Sequence, residues 1–102
     1  MNEYEITSEE LKKILDNNPS SIKLLDVREP EEYAEDRLEP CTLIPLGDLM
    51  SRAESELDRK DNIIVYCAHG VRSMHALMGL KSLGFENVKS LTGGICAYRE
   101  RT

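Results

Sequence analysis

Short apolar runs alternate along the chain with amphipathic stretches, and each apolar run has the length of a β-strand. The clearest run, residues 63–66, is rich in β-branched side chains and is apolar throughout. Runs that are apolar on both faces are typical of strands buried in a parallel sheet. The strands predicted in this way are 5–6, 22–27, 42–44, 63–66 and 88–91.

Helical signals occupy the segments between these strands. Thr7 is placed to cap a helix, with Glu10 three residues later completing a capping box. Pro30 suits the first turn of another helix, and Glu31 and Glu32 are favourably placed at its positive end. Further helices are predicted within 47–57 and over 73–83 and 95–101. This alternation indicates an α/β domain with a mainly parallel central sheet of about five strands, flanked by helices.

Length and composition restrict the class of protein. The chain has 102 residues, which predicts one domain over 1–102, and its net charge of -6 argues against a nucleic-acid or anionic-membrane binder. The apolar runs are too short to span a membrane, and the first residues lack the basic and apolar regions of a signal peptide. We therefore expect a cytoplasmic protein, and nothing in the sequence requires more than a monomer.

The chain contains three cysteines, Cys41, Cys67 and Cys96, without any C-x-x-C pair. That pattern argues against a thioredoxin-type motif, a zinc ribbon or a disulfide scaffold. Cys67 lies where a buried strand ends and a helix is about to begin. Ligands of open α/β sheets bind at this edge, beyond the carboxyl ends of the strands. Cys67 is therefore the candidate nucleophile.

The residues that follow Cys67 favour an anion at this position. Gly70 permits a tight loop whose backbone N–H groups turn inward. Arg72 adds a positive charge, and Ser73 is placed to cap the next helix, whose dipole also favours an anion. A buried cysteine at a strand end is often only a packing residue, but these features in register favour a reactive thiol. We expect a pKa of Cys67 below its free value of about 8.5.

Several segments, in this order, resemble the rhodanese-like sulfurtransferases over nearly the whole chain. They are 25–33 (LDVREPEEY), 44–46 (IPL), 64–67 (IVYC) with 72–73 (RS), 83–88 (LGFENV) and 91–95 (LTGGI). The resemblance implies a compact three-layer α/β fold and a catalytic Cys67 that alternates between thiolate and persulfide. It implies no metal and no organic cofactor, only the covalent persulfide on Cys67.

The resemblance also implies the roles of the residues after Cys67. The backbone N–H groups that would surround the persulfide belong to Ala68, His69, Gly70, Val71, Arg72 and Ser73. His69 and Arg72 would assist an anionic donor such as thiosulfate. A persulfide-bearing protein is the alternative donor, and the acceptor would be a protein or a small thiol. Sulfur would pass by double displacement, through a covalent intermediate.

Loop length distinguishes the competing functions. Four residues separate Cys67 from Arg72, which is the sulfurtransferase length in this family, whereas related phosphatases and arsenate reductases have five. This favours sulfur transfer over a small-oxyanion enzyme. A non-catalytic binding module is a third interpretation, which the atypical segment 36–41 permits because it lacks the family's Gly-His-Ile-Pro-Gly-Ala-like sequence. We expect an altered loop at 36–41 without loss of the fold.

Other conspicuous residues have structural interpretations. Asp26 and Arg28 lie at a strand end, where we expect them to fix neighbouring loops through hydrogen bonds. Cys41 is either a thiol that resolves the persulfide or, as we favour, a semi-buried packing residue. Cys96 is expected to be a packing residue. Four apolar residues of the helix after Cys67 are expected in the core, namely Met74, Leu77, Met78 and Leu80.

Overall fold

The computed structural model describes residues 3–100 and contains five β-strands in one sheet. The strands are β1 (Glu5–Ile6), β2 (Lys23–Asp26), β3 (Thr42–Leu43), β4 (Ile63–Tyr66) and β5 (Val88–Leu91). Their order is β1-β5-β4-β2-β3, and every neighbouring pair is parallel. The longest strands lie in the middle, so β4 is covered by a strand on each side and ends at the centre of the carboxyl edge.

Five α-helices connect and flank the strands. They are α1 (Ser8–Asn17), α2 (Pro30–Glu35), α3 (Leu49–Glu56), α4 (Val71–Ser82) and α5 (Gly94–Glu100). The predicted capping box of α1 is present, because Thr7 Oγ1 accepts the Glu10 N–H and the Glu10 carboxylate accepts the Thr7 N–H. The predicted α/β fold with a parallel sheet is confirmed. No helix within residues 3–100 is long and apolar enough to cross a membrane.

Alternating side chains of the central strands build two apolar clusters, one on each face of the sheet. Leu25 and Val65 face a cluster that contains residues of α3 and α4, and Cys67 belongs to the same cluster. Leu24 and Tyr66 face the second cluster, which contains residues of α1 and α5. Since both faces are covered, the central strand β4 is apolar and buried throughout, as expected for a buried parallel sheet. Cys67 and Tyr66 are adjacent in sequence but point to opposite faces.

One predicted core residue of α4 is exposed. Leu77 and Leu80 are buried and Met74 is half-buried, but Met78 is 66% exposed. Successive residues of a helix are rotated by about 100°, so the residue after Leu77 points away from the sheet. The expectation that Met78 packs in the core was therefore wrong, because the apolar residues of this helix extend beyond its buried face.

The buried face of α4 should dominate its contribution to stability. Leu80→Ala is expected to lower the free energy of unfolding by about 2–5 kcal/mol, because it leaves a cavity in a fully buried position. Met78→Ala, the matched control on the same helix, should change it by less than about 0.5 kcal/mol. Urea unfolding monitored by circular dichroism measures both values. Equal losses in the two variants would contradict the assignment of the buried face.

Candidate active site at the carboxyl edge of the sheet

The Cys67 loop, defined here as residues 67–73, joins the end of β4 to the first turn of α4. Gly70 adopts a left-handed conformation with a φ of +107° and is the residue at which the helix is capped. Because the chain turns at this glycine directly into the helix, α4 begins at Val71, two residues earlier than the sequence predicted. The expectation that Ser73 caps the helix was wrong, since Ser73 lies within its first turn.

The sulfur of Cys67 is enclosed by donors of this loop. Its Sγ accepts the Gly70 N–H at 3.1 Å and the Ser73 N–H at 3.3 Å, and the side chain is 1% exposed. Burial raises the pKa of the thiol, but hydrogen bonds from Ser73, Gly70 and His69 outweigh it and hold the pKa below its ordinary value. N–H groups stabilise the negatively charged sulfur more than the neutral thiol. The loop therefore favours a thiolate or another anionic sulfur at this position.

A buried pair of serines supports the loop from the neighbouring strand. The hydroxyl of Ser73 lies 3.6 Å from the Cys67 sulfur and donates to the Gly70 carbonyl at 3.1 Å. It lies 2.7 Å from the hydroxyl of Ser90, a buried residue of β5. Sequence reasoning missed Ser90. The available signal was a hydroxyl-bearing side chain at one buried position of β5, whose other buried positions are apolar.

The charge of Arg72 is compensated by a carboxylate that sequence reasoning did not assign to the site. Arg72 Nη1 donates to Glu32 Oε1 at 2.8 Å and Arg72 Nη2 donates to Glu32 Oε2 at 3.0 Å. The Glu29 N–H also donates to the same carboxylate, at 2.9 Å. These bonds, chiefly those of Arg72, lower the pKa of Glu32 to about 2. The sequence predicted Glu32 only as a favourable residue at the start of α2.

The remaining side chains of the loop are directed toward solvent or toward α5. His69 is exposed, and its Nε2 lies 4.0 Å from the sulfur of Cys96. Val71 is 68% exposed. Ala68 is half-buried and contributes its backbone, because its carbonyl accepts the Cys96 N–H at 3.1 Å. Cys96 is thus half-buried against the loop itself, a more specific position than a general packing role.

The start of α5 packs on the backbone of the loop at very short range. Gly93 and Gly94 both have positive φ angles, and the Ile95 N–H donates to the Cys67 carbonyl at 2.9 Å. A Cβ on Gly94 would overlap the carbonyl groups of Cys67 and Ala68. The two glycines therefore allow α5 to pack directly on the loop backbone. The N–H groups of the loop stay directed at the Cys67 sulfur.

Asp26 and Arg28 form a buried ion pair at the end of β2. Arg28 Nη2 donates to Asp26 Oδ2 at 2.7 Å, and the Tyr66 hydroxyl donates to the same oxygen at 3.0 Å. Arg28 also donates to the Asp36 carbonyl at 2.6 Å, and the Leu38 N–H donates to the Tyr66 hydroxyl at 3.1 Å. This network fixes the atypical segment 36–41 against the sheet, as the structural interpretation of Asp26 and Arg28 required.

Cys41 lies on the other face of the sheet from Cys67. It packs against the cluster that contains Tyr66, and its sulfur is 3.6 Å from the Tyr66 hydroxyl. Burial raises the pKa of this thiol. These features fit the packing role and not the resolving role. Among residues 3–100, no group of three or more His, Cys, Asp or Glu side chains is placed to hold a metal ion.

Comparison with known proteins identifies the family of this chain. A sequence model of the rhodanese-like domain matches residues 7–101, so the chain belongs to the rhodanese-like family. The putative sulfurtransferase YtwF of Bacillus subtilis is 33% identical over 98 residues, which cover 96% of this chain and 92% of that protein. The crystal structure of a rhodanese-related protein from Thermoplasma volcanium superposes with a TM-score of 0.86 at 31% identity, covering 96% and 92% of the two chains.

Another relative is longer than this chain. The putative sulfur carrier protein YrkF of Bacillus subtilis is 36% identical over 98 residues. The match covers 96% of this chain and 52% of that protein, so the chain spans about half the length of this relative. The similarity to YrkF therefore concerns the rhodanese-like part.

The close approach of α5 predicts a strong effect at Gly94. Gly94→Ala should lower the free energy of unfolding by about 2–4 kcal/mol, because the new Cβ meets backbone atoms at a φ of +66°. It should also slow the alkylation of Cys67, since the loop must shift. Gly47→Ala is the control, because no atom lies within 4 Å of its added Cβ. Urea unfolding and peptide mass mapping test both effects, and equal behaviour of the two variants would refute the role of the contact.

Proposed function

We propose that this chain is a sulfurtransferase that carries a sulfane sulfur as a persulfide on Cys67. The observation that supports this most directly is the pair of N–H donors, from Gly70 and Ser73, directed at the buried Cys67 sulfur. A persulfide is an anionic sulfur species, and the same donors suit its charge. Relatives named sulfurtransferase and sulfur carrier protein, at 33% and 36% identity, support the same reaction class.

The first half of the reaction loads Cys67. The Cys67 thiolate attacks the sulfane sulfur of the donor, which is thiosulfate or a persulfide on another protein. With thiosulfate, a new S–S bond forms to Cys67 while the donor's S–S bond breaks, and sulfite leaves with the bonding electron pair. The three negative charges of the reactants are distributed over the Cys67 persulfide and sulfite. No external oxidant or reductant is consumed.

The second half of the reaction unloads Cys67. A thiophilic acceptor, which is a small thiol or a protein, attacks the outer sulfur of the persulfide. The bond between the two sulfur atoms breaks, and the Cys67 thiolate leaves with the electron pair. The N–H groups that stabilised the initial thiolate stabilise it again as the leaving group. Splitting the transfer in this way replaces one difficult step by two displacements at sulfur.

The same loop is poorly suited to a phosphoryl or arsenate substrate. Four residues separate Cys67 from Arg72, and the resulting loop is short. Arg72 is occupied by both oxygens of Glu32, so its guanidinium is not directed freely at a tetrahedral oxyanion. We therefore favour sulfur transfer over the small-oxyanion alternative, and the retained Cys67 favours it over a non-catalytic binding module.

Intact-protein mass spectrometry tests the proposed function. Incubation with thiosulfate, or with a persulfide-loaded cysteine desulfurase, should add the mass of one sulfur atom, and cyanide should remove it as thiocyanate. Cys67→Ser should gain nothing, whereas Cys41→Ser, the matched control on the opposite face of the sheet, should load normally.

Two results would overturn this proposal. One is the absence of sulfur on Cys67 with both donors. The other is hydrolysis of an aryl phosphate that is lost in Cys67→Ser, which would establish the oxyanion enzyme instead.

A further inference from the structure

Arg72 supplies a guanidinium group to the Cys67 loop, and this group forms an ion pair with a carboxylate. Both of its terminal nitrogens donate to Glu32, one to each carboxylate oxygen, at 2.8 and 3.0 Å. This bidentate geometry is the strongest arrangement available to an arginine and a carboxylate. The Glu29 N–H holds the same carboxylate from the other side at 2.9 Å. Glu32 is therefore fixed on α2 in a position where it cancels the charge of Arg72.

The other groups near the loop do not replace that charge. Arg28, at the end of the neighbouring strand β2, is buried and bound to Asp26. Val71 presents an apolar side chain that is 68% exposed. Helix α2 carries two further exposed carboxylates, Glu31 and Glu35, on the element that supplies Glu32. The exposed side chains of the loop are thus the apolar Val71 and the imidazole of His69, and the guanidinium of Arg72 is paired with a helix that carries further carboxylates.

The two possible donor classes differ in charge. Thiosulfate is a dianion and releases the sulfite dianion, so its capture depends on unpaired positive charge near the sulfur. A persulfide on a cysteine is uncharged at its reacting group when the terminal sulfur is protonated. Repulsion by a fixed carboxylate acts on the dianion and has little effect on the neutral group. The paired charge of Arg72 therefore disfavours thiosulfate, the dianionic donor, relative to a protonated persulfide.

We propose that Glu32 determines the donor class of this site: by pairing with Arg72, it selects a persulfide carried by a cysteine over thiosulfate. This inference rests on the proposed function and narrows its donor. The Cys67 thiolate attacks the terminal sulfur of the donor persulfide, the donor's S–S bond breaks, and the donor cysteine leaves as a thiolate. The transferred sulfur keeps its proton during the displacement and then releases it to water, which leaves the anionic Cys67 persulfide, so atoms and charge balance without an oxidant or reductant. Glu32 acts through Arg72 and is a positioning residue.

The test compares two donors in variants of α2, with cyanide as the acceptor and thiocyanate as the measured product. Glu32→Gln removes the charge but keeps an oxygen for the Glu29 N–H. At low ionic strength it should raise kcat/KM for thiosulfate about fivefold, mainly through a lower KM, as expected for removal of one nearby charge. The increase should shrink as salt is added. With cysteine persulfide as donor no comparable gain is expected, so the ratio of the two kcat/KM values should shift about fivefold toward thiosulfate.

Three further variants separate specificity from structural support. Glu31→Gln makes the same change in net charge on the same helix but without contact to Arg72, and it should leave the thiosulfate KM within about twofold. Glu32→Asp, which keeps the charge with a shorter reach, should give an intermediate thiosulfate KM. In an Arg72→Gln background, Glu32→Gln should have no further effect on the ratio of the two donors, because its partner is absent. Glu32→Asp keeps the test decisive if Glu32→Gln folds poorly, because it retains the carboxylate.

The outcomes distinguish this inference from the proposed function. Sulfur loading from cysteine persulfide, together with equal thiosulfate kinetics in Glu32→Gln and Glu31→Gln, would overturn the role of Glu32 and leave sulfur transfer standing. A wild-type preference for thiosulfate over cysteine persulfide would overturn it as well. Failure of the wild-type chain to take sulfur from either donor would overturn the proposed function, and this inference with it.

Discussion

The hydrogen bonds from the Gly70 and Ser73 N–H groups to the Cys67 sulfur are the interaction on which the site depends. A thiol that is 1% exposed would resist ionisation, because burial raises its pKa. Hydrogen bonds from Ser73, through its hydroxyl and its N–H, and from the N–H groups of Gly70 and His69 reverse that tendency at the end of β4. The Cys67 sulfur is therefore kept out of bulk water while its surroundings favour the negatively charged form. The contacts of α5 and of Glu32 with the loop hold it in that conformation.

Two sets of contacts hold the loop, one on each side. On one side, the start of α5 packs so closely that a side chain at Gly94 would overlap the backbone of the loop. The N–H groups in the first turn of α5 donate to carbonyl groups of the loop. Beside it, Glu32 on α2 holds Arg72 in the first turn of α4. The buried network of Asp26, Arg28 and Tyr66 fixes the neighbouring strand end. The surroundings of one sulfur thus involve residues from five separate elements, α2, α4, α5, β2 and β4.

The sequence predicted the parts of this arrangement that depend on local pattern. Strand order and the exposed face of α4 depend on tertiary packing, so Met78 was misplaced. Ser73 was predicted as a cap because a hydroxyl near a helix start is a common cap, but the positive φ of Gly70 moved the start to Val71. The pairing of Arg72 with Glu32, forty residues away in sequence, is a long-range contact that local pattern does not encode. Cys67 itself was identifiable, because strand end, glycine and arginine coincide within one short segment.

The pKa of Cys67 tests the central claim most directly. The rate of alkylation by iodoacetamide, followed against pH by peptide mass spectrometry, reports the thiolate fraction of each cysteine in the same sample. The account predicts a midpoint for Cys67 below the ordinary value of a cysteine thiol, an upward shift in Ser73→Ala, and a midpoint for Cys41 above that of Cys67. A Cys67 midpoint at or above that of Cys41 would show that the loop does not stabilise the thiolate, and would contradict the account.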